Sequence, residues 1–484
     1  CLFIDSKTYT CHHSTTMSFF LFHKRSKPPS LAPEQQEHRR QKIETLKAGR
    51  LAALTLSFTN ELIEKYGPRL AGSDASRQAA LQIQAAYEPF CDQSETEVVR
   101  IDTTFHSFPL QLALYLYPVI LVLLLIGLPF LGLLLFLAYL WYAARTLYFY
   151  KPLGKLSKSN VEGVNVHAVL EPKGEVRHTL LFTSHHDSAP LFRYNKLDRI
   201  SYAKKVALPI LLFFLSGLFN AMHLITELLE GRLFAFSLPP LGMGILCLLL
   251  LGATPLLLPL KNFYLQEGSP GAGDNLVSVG MTVQLARYFH WKKKSCNDPL
   301  SHTRLVFCSF DGEESGLEGS KAWYQKHKEE MSGSLVLNFD AIYHADKLTF
   351  LERDINGTQR LSSRLARRCV QIAKDMGYEA VSESIPRLAG GTDAGRASLA
   401  GLEATTLTSV AWDDRTKPSV YHTAGDVVSA IDAKAVEMAL SIAIRLVELV
   451  DSDRLWEVDE MQGPAKKEVE SEEPELVFTK LTHR

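Results

Sequence analysis

Five short segments of this chain combine imidazole and carboxylate side chains with small residues. They are Ser184-His185-His186-Asp187-Ser188, Gly271-Ala272-Gly273-Asp274-Asn275, Gly312-Glu313-Glu314-Ser315-Gly316, Asn338-Phe339-Asp340 and Tyr421-His422-Thr423. Imidazole nitrogens and carboxylate oxygens together suit zinc, and a carboxylate-containing site with an open position suits hydrolysis. The adjacent pair Glu313-Glu314 directly follows an apolar stretch, where one carboxylate can ligate a metal while the other acts as a base. Taken singly, each segment has a plainer reading. A His-x-Asp is commonly a surface pair, adjacent glutamates a solvated charge run, and an aspartate closing a strand a helix cap. Their order and setting are what raise them above that.

The setting comes from the elements that must hold these residues. Thr179–Thr183, Arg304–Phe310 and Leu335–Phe339 read as short buried strands, each running into one of the segments. Helical patterns follow over Gly316–Lys328, Ser362–Met376 and Ala433–Val450. Such alternation predicts an α/β fold, with a mixed, mostly parallel sheet between helices. Ligands gather at the carboxyl ends of strands in sheets of this kind.

Two apolar blocks interrupt the soluble part. Pro109–Tyr150 carries one charge, Arg145, and is long enough for two spans of ~20 residues, with Gly127-Leu128-Pro129 as a turn between them. Tyr115, Tyr117, Tyr139, Trp141, Tyr142 and Tyr148 lie toward its outer ends, where interfacial aromatics belong. The second block, about Val206–Leu260, reads as a span ending near Leu224, an amphipathic connection over Glu227–Ser237, and a span over Leu238–Leu260. His223 stands alone near an interface, and Gly242, Gly244 and Gly252 mark either close helix packing or general glycine tolerance. The predicted organisation is a disordered basic arm (1–45), one soluble domain in three pieces (46–108, 151–205, 261–452), membrane hairpins at 109–150 and 206–260, and a disordered acidic tail (453–484). Even numbers of spans place all three soluble pieces on one side. Arg145, Lys151, Lys155, Lys158, Arg199, Lys204, Lys205 and Lys261 flank that side, against Arg232 on the other, so the positive-inside rule predicts a cytoplasmic catalytic part.

The bulk numbers exclude other classes. A net charge of −1 and a pI of about 7.0 argue against a nucleic-acid partner. Seven scattered cysteines without C-x-x-C pairing argue against a disulfide framework or a cysteine zinc site. Met17 is a candidate start, with residues 1–16 as upstream sequence, and Phe19–Phe22 is shorter than the ~7–15 apolar residues of a signal core. No feature points to a particular oligomeric state.

With its segments in this order, the chain resembles the co-catalytic zinc aminopeptidases of metallopeptidase family twenty-eight, which includes bacterial leucyl aminopeptidases and glutamate carboxypeptidases. The resemblance spans roughly Glu61–Val450 outside the apolar blocks, and Gly67-Pro68-Arg69-Leu70-Ala71-Gly72-Ser73 resembles the family's opening segment. It implies a zinc aminopeptidase-like fold with two Zn2+ ions, one held by His185 and Asp340, the other by Glu314 and His422, with Asp274 bridging. It implies Glu313 as general base and Asp187 as the residue orienting His185. Co2+ or Mn2+ are expected substitutes. Gly273 departs from the acidic residue the family often carries there. Gly391-Thr392-Asp393-Ala394 resembles the pocket segment loosely, making Asp393 either a substrate-binding residue or a loop cap. His186 is expected to face the core or to stand behind the ligands, and Asn356-Gly357-Thr358 to form a turn. The resulting expectation is a membrane-bound exopeptidase, most simply an aminopeptidase acting on peptides. The alternatives are a non-catalytic scaffold or receptor on the same fold, and carboxypeptidase-type cleavage. Glutaminyl cyclisation is disfavoured by the full two-metal ligand set.

Overall fold

The computed structural model describes residues 33–152, 160–194, 199–232, 236–294, 299–412 and 420–457; the side chains of residues 33–46 and 199 lie outside that description. The acidic run of the tail, Lys155, Lys158 and the first 32 residues of the expected arm also lie outside the described residues. Two compact units divide the chain, Cys1–Ile43 and Glu44–Arg484. The described part of the first is the start of a helix, Pro33–Tyr66, which begins inside the segment expected as the arm. Proline at a helix start, followed by Glu, Gln, Lys and Arg, explains that early beginning.

Among the described residues the second unit has eleven strands: β1 (Gln93–Asp102), β2 (Asn160–Leu170), β3 (His178–His185), β4 (Pro190–Phe192), β5 (Tyr264–Gly268), β6 (Thr303–Phe310), β7 (Leu335–Phe339), β8 (Thr349–Asp354), β9 (Gln359–Arg360), β10 (Val381–Ser384) and β11 (Glu403–Thr408). The main sheet runs β1-β2-β6-β3-β7-β11-β8-β10, with β9 on β8; β4 and β5 form a separate pair. Its centre, β6-β3-β7-β11, is parallel, while β1 pairs antiparallel with β2, β2 with β6 and β8 with β11; β10 runs parallel to β8. The central strands are buried on both faces, which their continuous apolar runs anticipate.

Phe307, Phe182 and Phe339 stack across these three strands with centroids 5.9 and 5.8 Å apart. Cross-strand aromatic pairs of this kind stabilise register. Here they fix the relative height of the strand ends that carry the candidate ligands. Helix Val277–Lys293 lies buried against the sheet, and Gly280 lets it approach helix Pro33–Tyr66, since a Cβ there would stand 3.1 Å from the Thr55 carbonyl oxygen.

Among the described residues, four helices are long and apolar enough to cross a membrane: Ser107–Leu125, Pro129–Tyr148, Ile200–Leu229 and Leu241–Asn262. They share an interior of their own, including Tyr117, Ile120, Leu124, Phe136, Phe213, Cys247 and Leu257. Leu134, Leu246, Leu248 and Leu249 are exposed on their outer surface, as lipid-facing positions would be. The second hairpin departs from expectation in three ways. Its first helix continues to Leu229, so Glu227 is helical and buried rather than part of a loop. His223 is not alone: its Nε2 lies 3.6 Å from Glu227 Oε1, one helical turn away, and 2.9 Å from the Ser237 carbonyl oxygen. The close-packing glycines are Gly132, against Asn220, and Gly217, against the Phe136 ring, whereas Gly242 and Gly252 face open space. The hairpin tips meet where Ser237 N donates to the Gly127 carbonyl, so His223 pins that junction.

Candidate metal centre

The parallel strands end on one edge, and the chemistry collects there. His185 is the last residue of β3, Glu313 and Glu314 follow β6, and Asp340 follows β7. Asp274 sits in the turn opening helix Val277–Lys293, and His422 follows Tyr421 in a loop with its φ at 55°, its ring stacked on Tyr421 with centroids 3.9 Å apart. Two atoms on one tetrahedral zinc, with bonds of about 2.0–2.2 Å, stand roughly 3.4 Å apart. Asp274 Oδ1 lies 3.2 Å from His185 Nε2, and Asp274 Oδ2 lies 3.0 Å from His422 Nε2. One carboxylate therefore faces both imidazoles. His422 Nε2 is 3.3 Å from Glu314 Oε1, and His185 Nε2 is 4.0 Å from Asp340 Oδ1 and 3.9 Å from Glu313 Oε2. All six residues expected to act at the metals are brought together.

His185 Nε2, Asp274 Oδ2, Glu314 Oε1 and His422 Nε2 are buried atoms without hydrogen-bond partners among the described residues. Orphaned buried polar atoms cost about 1–3 kcal/mol each, more when charged. Four of them gathered around Asp274 make a donor set that fits divalent cations. The proton affinities agree. Burial lifts Glu313 and Asp340 well above the usual carboxylate range, and Glu314 is raised for the same reason. Burial pulls at His185 and His422 too, but the surrounding carboxylates win: His185 is raised well above its ordinary value, and His422 to about 10. Asp274 is buried yet lowered, because both histidine rings face its oxygens. The cluster is short of positive charge, which bound cations supply.

A layer behind the cluster holds the loops in place. Asp187 accepts Glu313 N (3.2 Å) on Oδ1 and Glu314 N (3.1 Å) on Oδ2, and its Oδ1 lies 3.3 Å from His185 Nδ1. The same imidazole nitrogen is 3.2 Å from the Asp187 main-chain oxygen, so both oxygens orient the ring. His186 turns away and bonds Ser309 Oγ at 2.9 Å, with burial pulling it down to about 3. Asp393 does not line the cleft described below. It opens the helix Asp393–Leu399, fully buried, and burial pushes it up to about 7. That helix packs against helix Glu318–His327, which keeps its first turn away from solvent.

Three further residues carry the site without having been singled out from sequence. Arg69 is buried and donates from Nε to the His186 carbonyl (2.9 Å) and from Nη2 to the carbonyls of Pro270 and Gly271 (3.1 and 3.2 Å), tying the His185 loop to the Asp274 loop. Asp426 accepts Gly273 N (2.8 Å) and Asp274 N (3.2 Å), and Asp311 accepts Gly72 N and Val164 N, both at 3.1 Å. Burial raises both aspartates to about 7. Gly273 is explained by Tyr343: a Cβ there would stand 2.1 Å from its ring. Asn356 is buried in a turn and donates to the Tyr148 carbonyl.

A cleft of about 980 Å³ opens beside the cluster. Glu314 and Ser188 lie on its wall, together with Ser107 and Gln111 of the first candidate span and Leu260–Asn262 of the fourth. The β4–β5 pair supplies an aromatic run from the cluster to that span. Phe192 lies 5.6 Å from His422 and 5.2 Å from Tyr264, centroid to centroid.

Comparison with known proteins adds the following. Residues 260–447 match peptidase family M28. No curated protein sequence matches significantly. Among solved structures, a Zn-dependent exopeptidase from Parabacteroides distasonis is similar at 12% identity and a TM-score of 0.48, covering 82% of this chain and 97% of its own. A leucine aminopeptidase precursor from Bacteroides thetaiotaomicron gives 12%, 0.47, 82% and 96%. A glutaminyl cyclase from the same organism, bound to N-acetylhistamine, gives 11%, 0.48, 82% and 97%.

Proposed function

We propose that this chain, which carries a peptidase family M28 region over residues 260–447, is a membrane-embedded zinc exopeptidase that removes amino-terminal residues from peptides. One observation carries the reading: the two oxygens of Asp274 are shared between His185 and His422, with Asp340 and Glu314 completing two adjacent donor sets. His185 and Asp340 would hold one zinc, Glu314 and His422 the other, with Asp274 between. Bound there, the ions would acidify a water and polarise the scissile carbonyl, as two-metal sites do. Glu313 takes the water's proton and passes it to the leaving amine. Its raised proton affinity belongs to the ion-free cluster; beside two cations the carboxylate ionises. Asp187 holds the main chain of Glu313 while this happens.

The cleft wall formed by the ends of two candidate spans favours peptides lying at the bilayer surface. The flanking lysines and arginines support a cytoplasmic orientation. Arg193 and Lys261 on the same wall keep carboxypeptidase-type cleavage as the second reading, since cations suit a substrate carboxylate. The test compares detergent-purified wild type with Glu313→Gln for metal content and for products from peptides blocked at either end. About two zincs in both proteins, with amino-terminal release only by wild type, supports the proposal. Metal without turnover on any peptide supports a scaffold, and cleavage only of peptides with free carboxyl ends supports the second reading.

A further inference from the structure

Far along the main sheet, outside the cleft, a second group of metal-ligating side chains comes together. Glu97 projects from β1, His167 from the neighbouring β2, and His327 from the last turn of helix Glu318–His327. β1 and β2 pair antiparallel with Glu95 opposite His167, which places Glu97 two residues along on the same face. His327 Nε2 is 2.8 Å from Glu97 Oε1, and His167 Nδ1 is 3.9 Å from the same oxygen. One ligand atom from each residue lies within 4.8 Å of the others. The two imidazole centroids are 5.3 Å apart.

We propose that Glu97, His167 and His327 form a third metal site, for a divalent cation of the zinc class, independent of the peptidase reading. Three observations point the same way. First, His167 Nδ1 is buried and has no hydrogen-bond partner among the described residues, and at 3.9 Å Glu97 is too far to serve as one. A cation between them would satisfy both atoms. Second, His327 Nδ1 lies 3.1 Å from Glu330 Oε2, which fixes the ring with Nε2 toward Glu97. A carboxylate behind a ligating histidine is the usual way such rings are oriented at metals. Third, the pocket is half-shielded and rigid: Trp323 stacks on His327 at 4.5 Å and meets His167 edge-on at 6.0 Å.

Two imidazoles and one carboxylate leave a fourth tetrahedral position to water, and the absence of thiolates or of an all-oxygen shell selects zinc-class ions over copper(I) or calcium. Lys326 Nζ is the competing cation, 2.8 Å from Glu97 Oε1. Its side chain is 64% exposed, so it can leave for solvent when a metal arrives. The bound ion would join β1, β2 and the helix, linking parts of the sheet edge that precede the family M28 region to one inside it.

The experiment is zinc content by mass spectrometry on the full chain in detergent, equilibrated with zinc and desalted, for wild type, His327→Gln and His167→Gln. None of these residues touches the cleft, so a wild-type gel-filtration profile serves as the folding check, and any turnover of the wild type serves as a second one. His167→Gln leaves the bonds of His327 to Glu97 and Glu330 in place and substitutes if His327→Gln fails to fold. The expected result is one zinc fewer per chain in either variant, with turnover unchanged. Equal zinc in wild type and a folded variant overturns the proposal, whatever the absolute number bound at the main centre.

Discussion

Replacing Asp187 by asparagine isolates the layer behind the metals. The native carboxylate offers two acceptor oxygens, and each takes a different main-chain N–H, from Glu313 and from Glu314. Asparagine is nearly the same shape but has one oxygen and one NH2 group. In either orientation, one of those N–H groups faces another donor. An unsatisfied buried N–H costs about 1–3 kcal/mol, which is roughly 5- to 150-fold in an equilibrium constant. The charge near His185 Nδ1 is lost as well, weakening the imidazole as a ligand. The expected outcome for Asp187→Asn is zinc affinity lower by about 10- to 100-fold. Excess zinc should restore part of the turnover and leave kcat reduced, because the main chain of the base remains displaced. Chelator competition gives the affinity, and kcat/KM at saturating zinc gives the rest. Wild-type affinity together with wild-type kcat/KM would refute the reasoning, since the hydrogen bonds would then be carrying nothing.

Three other outcomes follow from the same geometry. Gly273→Ala should lose about 1–3 kcal/mol of stability, read as a lower denaturant midpoint, because its Cβ would overlap the buried Tyr343 ring; an unchanged midpoint sinks the steric account. Asp354 is buried and raised to about 6, so the folded state binds its proton more tightly than the unfolded chain, and its contribution to stability falls as pH rises from about 4 through about 6. Asparagine suits the site, since Oδ1 already accepts from Ile355 N and Thr392 N while the other position faces Thr392 Oγ1; Asp354→Asn should therefore gain stability relative to wild type above pH 6, and parallel midpoint curves from pH 4.5 to 8 would argue against it. Peptides anchored in nanodiscs by an apolar carboxyl-terminal helix should be cleaved with a spacer of about four residues, roughly 13 Å extended, whereas a requirement for more than about twelve would place the cleft away from the bilayer.

Three of the five segments were legible because an apolar strand runs into His185, Glu313 or Asp340, whereas Asp274 and His422 sit in loops and stood out only through the order of the segments. The sheet order could be read only as a class, since the antiparallel pairing of β2 with β6 depends on contacts far apart in sequence. The same distance hides Arg69, Asp311 and Asp426. Arg69 acts on carbonyls at 186, 270 and 271, and Asp311 on amides at 72 and 164, so no spacing within a segment announces them. Gly273 looked like a departure until Tyr343 supplied its reason. His223 and Glu227 are the opposite case: their i,i+4 spacing was visible, but reading Glu227 as loop concealed the pair.

The insertion points of the hairpins connect the two halves of the molecule. His106 precedes the first candidate span, Tyr150 follows the second and Tyr264 follows the fourth. They come together, with the His106 ring 6.4 Å from Tyr150 and 6.0 Å from Tyr264, and Tyr264 reaches His422 through Phe192. Arg396 Nη2 fastens this junction by donating to the carbonyls of Tyr150 and Gly316, the latter two residues beyond Glu314. A tether needs one attachment and no contact with the chemistry. Here three separate ends of the hairpins line or buttress the cleft, so a shift of the spans would be transmitted to the Glu314 wall through packed rings and a buried guanidinium. The four apolar helices are thus parts of the site's architecture rather than an appendage to it.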